Sequence, residues 1–169
     1  MVSAKLKIFF DSDVLLDVLT ERPHHYRKSA ETLSLAEKQS ISGFTSSLII
    51  CNLHYILRKL LDERTARSKI ETLLELLDVI DLRKSDITAA LALPMPDFED
   101  CVQACIASRA QMNWIITRNI QDYKKSAVVN EGLRRRKIVR KFQTARPIET
   151  ENKYAKNNHH HSSNYFDWR

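Results

Sequence analysis

The stretch KIFFDSDVLLDVL, residues 7–19, changes character at Asp11. The residues before it are rich in Ile and Phe, which favours a short buried strand, and those after it repeat Val and Leu at helical spacing. Three aspartates, Asp11, Asp13 and Asp17, lie 2 and 4 residues apart at this boundary. They can cap the helix, supply a phosphoryl-transfer nucleophile or belong to a metal site.

Strand and helix patterns alternate along the rest of the chain. Strands separated by one or two helices predict right-handed crossovers and a parallel sheet covered on both faces, which is an α/β fold. The predicted strands cover residues 5–10, 41–44, 79–82 and 114–117. The predicted helices cover residues 14–19, 23–39, 66–77, 86–93 and 97–112, with one more, capped by Thr45 or Ser46, that includes residues 48–60.

Length and composition limit the classes of protein. With 169 residues and 43% hydrophobic content, the chain predicts one folded unit with a real core. No run approaches the ~18 to 20 apolar residues of a membrane span, so we expect a soluble, cytoplasmic protein. Only two glycines occur, Gly43 and Gly132, which excludes a Gly-rich phosphate loop or dinucleotide fingerprint.

The net charge of +6 is concentrated near the C-terminus. Residues 130–169 hold 10 of the 27 Lys and Arg but only 4 of the 21 acids, so residues 1–129 are neutral. We therefore divide the chain into a domain at 1–129 and a basic, disordered extension at 130–169. Any electrostatic attraction to nucleic acid is expected from Arg134, Arg135, Arg136 and their neighbours in that extension.

The three cysteines, Cys51, Cys101 and Cys105, are odd in number and have no CxxC spacing. Each lies in an apolar helical pattern. We therefore predict buried free thiols rather than zinc ligands or disulfides.

Several acids are expected to meet at the carboxyl ends of the strands, where parallel α/β sheets bind ligands. Carboxylates held together repel one another, and a divalent cation removes that cost. A carboxylate set without His or Cys favours Mg²⁺ or Mn²⁺ over zinc. The polar residues at these ends are Asp11, the group Asp97, Glu99 and Asp100, and the pair Asn119 and Asp122.

Each acid taken alone has an ordinary structural interpretation. Asp97 or Asp100 suits a helix N-terminus, Asp13 suits a helix cap, and Asp122 suits a turn. Asp17, one helical turn beyond Asp13, is expected at the surface. Arg118 is expected to be solvated, although it could hold an RNA backbone.

Four segments in this order resemble the PIN domain family, most closely the bacterial branch of VapC-type toxin ribonucleases. The segments are IFFDSDVLLDVL, TSSLIICNLHYILRK, DFEDCVQACIAS and WIITRNIQDY, and the resemblance covers residues 5–129. It implies a three-layer α/β/α sandwich whose clustered acids hold Mg²⁺ or Mn²⁺ and hydrolyse single-stranded RNA. It also implies a cognate antitoxin and a homodimer.

Carried onto this chain, the resemblance implies that Asp11, Asp100 and Asp122 are the catalytic metal ligands, with Asp97 nearby. Asp122 is preferred to Asn119 as the last acid because only Asp122 is a carboxylate. The resemblance implies supporting roles for Ser12, Asp13, Asn52, Thr117 and Asn119.

The chain departs from the family pattern in two places. Many members place a glutamate where this sequence has Asn52, and an amide brings no charge and cannot act as a base. We therefore expect weaker metal binding and, by hypothesis, loss of a second metal. The segment VVNEGLRRRKIVRK, residues 128–141, replaces the usual last strand and Thr-Pro segment.

Two other functions stay open at the level of sequence. A catalytically impaired PIN-like module could bind RNA or a protein partner without cleaving. A haloacid-dehalogenase-type phosphatase would use Asp11 as nucleophile and Asp13 as acid and base, but IITRN is the last element here and no lysine plus acidic motif follows it.

Overall fold

The computed structural model describes residues 5–119 and residue 123. Its four strands form one parallel sheet between layers of helices, which confirms the predicted α/β/α class. The strands are β1 (Lys7–Phe10), β2 (Ser42–Ser46), β3 (Asp78–Ile80) and β4 (Trp114–Ile116). The helices in this part of the chain are α1 (Ser12–Leu19), α2 (Tyr26–Glu37), α3 (Ser47–Leu60), α4 (Glu63–Leu76), α5 (Lys84–Ala90) and α6 (Phe98–Arg109).

The strand order β3-β2-β1-β4 determines where a ligand can bind. From β1 the chain moves outward to β2 and β3 on one side, and it returns to add β4 on the other. In open parallel sheets the ligand-binding crevice lies where this direction reverses, which in this strand order is between the carboxyl ends of β1 and β4. Phe10 is paired with Ile116, so the residues that follow, Asp11 and Thr117, lie side by side at this crevice.

Short polar side chains cap the N-termini of helices α1 and α3. The Ser46 hydroxyl accepts a hydrogen bond from the Ile49 amide at 3.1 Å, so Ser46 is the N-cap of α3. Thr45, the other predicted cap, lies in β2 and donates its hydroxyl to the Phe10 carbonyl at 3.2 Å. Asp11, rather than Asp13, is the N-cap of α1.

Three expectations about position were wrong. Cys51 is exposed, because the buried stripe of α3 consists of Ile49, Leu53 and Leu57 and Cys51 lies across the helix from it. The helical spacing of Leu74 with Ile70, Leu73 and Leu77 predicts an inward position for it, but Leu74 is exposed on α4, where Ala66, Ile70 and Leu73 form the buried stripe. Helix α2 begins at Tyr26, past Pro23, because the preceding turn includes His24 with a positive φ of 68°.

The other two cysteines are buried and free, as predicted. They lie on α6, which is buried continuously from Cys101 to Ala107. No helix among the described residues is long and apolar enough to cross a membrane.

Gly43 allows β2 to pack tightly against its neighbours. A Cβ atom there would overlap Leu77 Cδ2 and lie 3.0 Å from the Ala36 Cβ. We expect Gly43→Ala to lower the free energy of unfolding by about 2 kcal/mol, because overpacking forces side chains and backbone apart. Urea unfolding measures this, with Ser42→Ala as control. Equal unfolding midpoints for the two variants would contradict the prediction.

Candidate functional site

The candidate site is built around the carboxylate of Asp11, at the end of the central strand β1. The backbone amide of Asp11 donates to the Ile116 carbonyl at 3.0 Å, which ties the end of β1 to the end of β4. The side chain is only 4% exposed. Asp11 Oδ1 accepts from the Ser12 amide at 2.8 Å, and Oδ2 accepts from the Thr117 hydroxyl at 2.6 Å.

This carboxylate is costly to ionise. Burial raises the pKa of Asp11 from 3.8 to about 6, although the hydrogen bonds from Thr117 and Ser12 oppose the shift. The charges of Asp13 and Glu99 raise it further. Within the described residues Asp11 has no cationic partner, so a bound cation would stabilise the ionised form.

The start of α6 brings further acids to the same crevice. Asp97 is the N-cap of α6 and accepts a hydrogen bond from the Asp100 amide at 3.1 Å. Asp100 Oδ2 accepts from the Asn119 side-chain amide at 2.8 Å. The Asn119 backbone amide donates to the Thr117 hydroxyl at 3.0 Å. Thr117 and Asn119 therefore connect Asp11 with Asp100.

Asn52 reaches this group of side chains from α3. Its amide nitrogen donates to Glu99 Oε1 at 2.8 Å, across 47 residues of sequence. Glu99 was grouped with the acids in the sequence but was not chosen as a site residue, since a glutamate in the first turn of a helix is common. Its contact with Asn52 depends on how α3 packs against α6.

Tyr123 was also not chosen from the sequence. It is fully buried, and its hydroxyl has no hydrogen-bond partner among the described residues. Burial raises the pKa of the phenol well above its usual range, and the charges of four acids add to the shift: Asp11, Asp100, Glu99 and Asp97. A protonated phenol therefore lies within the field of these carboxylates.

The described residues by themselves do not form a metal-binding group. Among the residues that the structure describes, no three His, Cys, Asp or Glu side chains lie close enough together to form a metal-binding group. Asp122, the third predicted ligand, lies outside this part of the chain. The buried, uncompensated Asp11 and the oxygen-only side chains of Asp97 and Asp100 fit Mg²⁺ or Mn²⁺.

Ser12 and Asp13 lie at the start of α1, beside Asp11. The Ser12 backbone amide donates to Asp11 Oδ1. Asp13 is half-exposed, and its Oδ1 lies 3.6 Å from Arg22 Nη1. The predicted RNA contacts Arg134, Arg135 and Arg136, together with the whole extension 130–169, lie outside the described residues.

Asp17 was predicted at the surface, and the structure corrects this. Its side chain is fully buried, and it accepts hydrogen bonds from Arg118 Nη1 at 2.7 Å and from the Ser29 hydroxyl at 3.0 Å. Arg22 Nη1 lies 3.8 Å from Asp17 Oδ1. Arg118 is thus ion-paired rather than simply solvated, and its countercharge comes from a residue 101 positions away. The pair anchors residues 117–119, which follow β4, to α1.

Loss of Arg118 should destabilise the protein. We expect Arg118→Met to lower the free energy of unfolding by about 2 kcal/mol, because it removes a charge-assisted hydrogen bond from a buried carboxylate. The residual contacts of Asp17 with Arg22 and Ser29 limit the loss. Thermal unfolding tests this against Arg22→Met, whose longer contact predicts a smaller effect. A larger loss for Arg22→Met would contradict the assignment.

Comparisons with known proteins point to one family. The family model described as "PIN domain" matches residues 7–121. Ribonuclease VapC1 from Aquifex aeolicus (strain VF5) is 25% identical over 122 residues, covering 69% of this chain and 84% of that protein.

Solved structures share the fold. Mycobacterium tuberculosis VapC20, described as a sarcin-ricin loop cleaving toxin, superposes with a TM-score of 0.57 at 10% identity, covering 69% of this chain and 93% of that one. A toxin-antitoxin complex from Klebsiella pneumoniae superposes with a TM-score of 0.56 at 18% identity. The match covers 82% of this chain and 97% of that one.

Proposed function

The chain belongs to the PIN domain family, and from that premise we propose that it is a metal-dependent endoribonuclease that hydrolyses phosphodiester bonds of single-stranded RNA. One observation carries the proposal. The buried Asp11 carboxylate at the crevice between β1 and β4 is joined through Thr117 and Asn119 to Asp100 at the start of α6. Within the described residues its carboxylate accepts hydrogen bonds from Ser12 and Thr117, the charges of Asp13 and Glu99 disfavour its ionisation, and a bound cation would balance this charge.

Asp11, Asp100 and Asp122 would hold Mg²⁺ or Mn²⁺, with Asp97 beside them. Such a cation supplies charge stabilisation for the phosphate oxygens and makes water more acidic. The neighbouring side chains of this protein would hold the metal-binding carboxylates in position. Thr117 keeps Asp11 in one orientation, Asn119 does the same for Asp100, and the low exposure of Asp11 keeps bulk water from screening the site.

The partners follow from the same proposal. Arg118 is about one-third exposed while it is bound to Asp17, and we propose that its free edge contacts the RNA backbone. The basic residues Arg134, Arg135 and Arg136 would add to this attraction. We also propose that the protein is the toxin of a toxin-antitoxin pair, that it forms a homodimer and that it acts in the cytoplasm.

A cleavage assay tests the proposal. Purified protein is incubated with labelled single-stranded RNA in Mn²⁺, with and without EDTA. We expect fragments only without EDTA. Intact RNA that still binds the protein, with binding lost at high salt, would replace the nuclease by a non-cleaving RNA-binding module. Turnover of a chromogenic phosphomonoester that requires Asp11 would indicate a phosphatase instead.

A further inference from the structure

The buried carboxylate of Asp17 connects α1 to α2 and to the residues that follow β4. Arg118 Nη1 donates to Asp17 Oδ1 at 2.7 Å, and the Ser29 hydroxyl donates to Oδ2 at 3.0 Å. Asp17 is fully buried. Replacing a buried ion pair by apolar side chains often leaves a protein equally stable or makes it more stable, so stability alone is a weak reason for a charge at this position.

The segment that contains Arg118 holds two carboxylates of the site. On one side of Arg118, the Thr117 hydroxyl donates to Asp11 Oδ2 at 2.6 Å. On the other side, the Asn119 side-chain amide donates to Asp100 Oδ2 at 2.8 Å. The Asn119 backbone amide also donates to the Thr117 hydroxyl at 3.0 Å, so the donors to the two carboxylates are linked to each other. A shift of this segment would therefore move both donors.

The pair between Arg118 and Asp17 is the strongest means of preventing such a shift. Of the side chains of residues 117–119, only that of Arg118 is charged, so its bond to Asp17 joins two ionised groups. Opposite charges attract one another more strongly where water is excluded, and Asp17 is fully buried. We therefore expect this pair to fix the backbone of residues 117–119 against α1.

We propose that Asp17 is a positioning residue for RNA cleavage. Through Arg118 it holds residues 117–119 in the place from which Thr117 and Asn119 orient the two carboxylates. Because Asp17 is fully buried, it acts through Arg118 rather than on the substrate. The inference rests on the proposed ribonuclease function.

Steady-state cleavage of labelled single-stranded RNA in Mn²⁺ tests this role. Asp17→Asn keeps the size of the side chain and an oxygen that can accept from Arg118, but it removes the charge. We expect kcat to fall about tenfold and KM to stay within about twofold of wild type, because the carboxylates lose their orientation while the guanidinium is still present. The matched control is Asp78→Asn, at an exposed position of β3 on the opposite edge of the sheet from β4, which should cleave like wild type.

A double variant separates positioning from stability. Arg118→Met leaves Asp17 buried without its closest cation, so we expect a lower melting temperature and a lower kcat. Adding Asp17→Asn removes the buried charge, so the melting temperature should rise again while kcat stays low. If kcat instead recovered together with the melting temperature, the role of Asp17 would be merely structural and the inference would be overturned.

Hydrogen exchange of the metal-free protein gives a readout that does not depend on activity. The Asn119 amide donates to the Thr117 hydroxyl, so its exchange rate reports whether the segment is held in place. In Asp17→Asn we expect this amide to exchange about tenfold faster than in wild type, and the amides of β1 to change less. Equal exchange of the Asn119 amide in the two proteins would also overturn the inference.

The outcomes separate the two proposals. If wild type cleaves RNA and Asp17→Asn cleaves it with the same kcat, the role of Asp17 is overturned and the proposed function stands. If wild type cleaves no RNA, both are overturned. A lower kcat at an unchanged KM, together with faster exchange of the Asn119 amide, supports both.

Discussion

Asp11→Asn is expected to abolish RNA cleavage and, in the same protein, to raise the stability of the metal-free fold. We expect the cleavage rate to fall on the order of a thousandfold, because the substitution removes the buried charge that would hold the cation. The amide oxygen of asparagine can still accept from the Ser12 backbone, so the cap of α1 is retained, whereas the Thr117 hydroxyl loses its acceptor and this offsets part of the gain in stability. Cleavage of labelled RNA and thermal unfolding without metal measure the two effects.

The gain in stability follows from the pKa of Asp11, which burial raises from 3.8 to about 6. Below pH 4 the group is protonated in both the folded and unfolded states, and its burial carries no ionic cost. As pH rises from about 4 to about 6, the unfolded state loses its proton first, so the free energy of unfolding falls. By pH 7 the loss is about 3 kcal/mol.

Asp11→Asn should remove this part of the pH dependence, so its gain in stability over wild type should grow between about pH 4 and pH 6 and be nearly constant above pH 6. The matched control is Asp62→Asn, which changes an exposed N-cap aspartate at the start of α4. That variant should keep both cleavage and the pH dependence due to Asp11. If wild type and Asp11→Asn showed the same change in stability between pH 4 and pH 7, the raised pKa would be refuted.

The second large effect is expected at the other end of α6, where Arg109 binds the buried carboxylate of Asp86. Arg109 Nε donates to Oδ1 at 2.8 Å and Nη2 donates to Oδ2 at 2.9 Å, and Nη2 also donates to the Asp81 carbonyl at 2.6 Å. Asp86 is 3% exposed. These bonds join α5, the end of β3 and α6.

Arg109→Met should lower the free energy of unfolding by about 3–5 kcal/mol, because it leaves Asp86 charged, buried and without its cation. The Asp86 contact with the Arg83 amide, at 2.9 Å, cannot replace that charge. Urea unfolding followed by circular dichroism measures the loss. Arg67→Met, which breaks an exposed pair with Glu63 on α4, is the control and should change stability little.

A double variant identifies the cause. Asp86→Asn combined with Arg109→Met removes the buried carboxylate that has lost its cation. The double variant should therefore be more stable than Arg109→Met alone. If the double variant were instead the less stable of the two, lost side-chain packing of Arg109 rather than the uncompensated carboxylate would explain the effect.

The sequence by itself predicted the order and type of every described strand and helix. Local patterns suffice for this. An apolar run that ends at an acid favours a strand, and a leucine repeat that follows a serine cap favours a helix, whatever the rest of the chain does. The parallel sheet then followed from the helices between the strands, since parallel neighbours need a crossover. The general geometry of such sheets also predicts that Asp11 and the residues after β4 lie at the same edge, and Thr117 is hydrogen-bonded to Asp11 there.

Only the tertiary structure decided which partner each polar side chain has. Asp17 was predicted at the surface because its sequence neighbours do not reveal Arg118, which approaches from the end of β4. Asn52 and Glu99 likewise meet through the packing of α3 near α6. Periodicity specifies which face of a helix or strand is apolar. Whether a polar side chain is buried, and which charge lies beside it, depends on elements distant in sequence. The electrostatics of this site therefore arise only when the sheet and its helices are assembled.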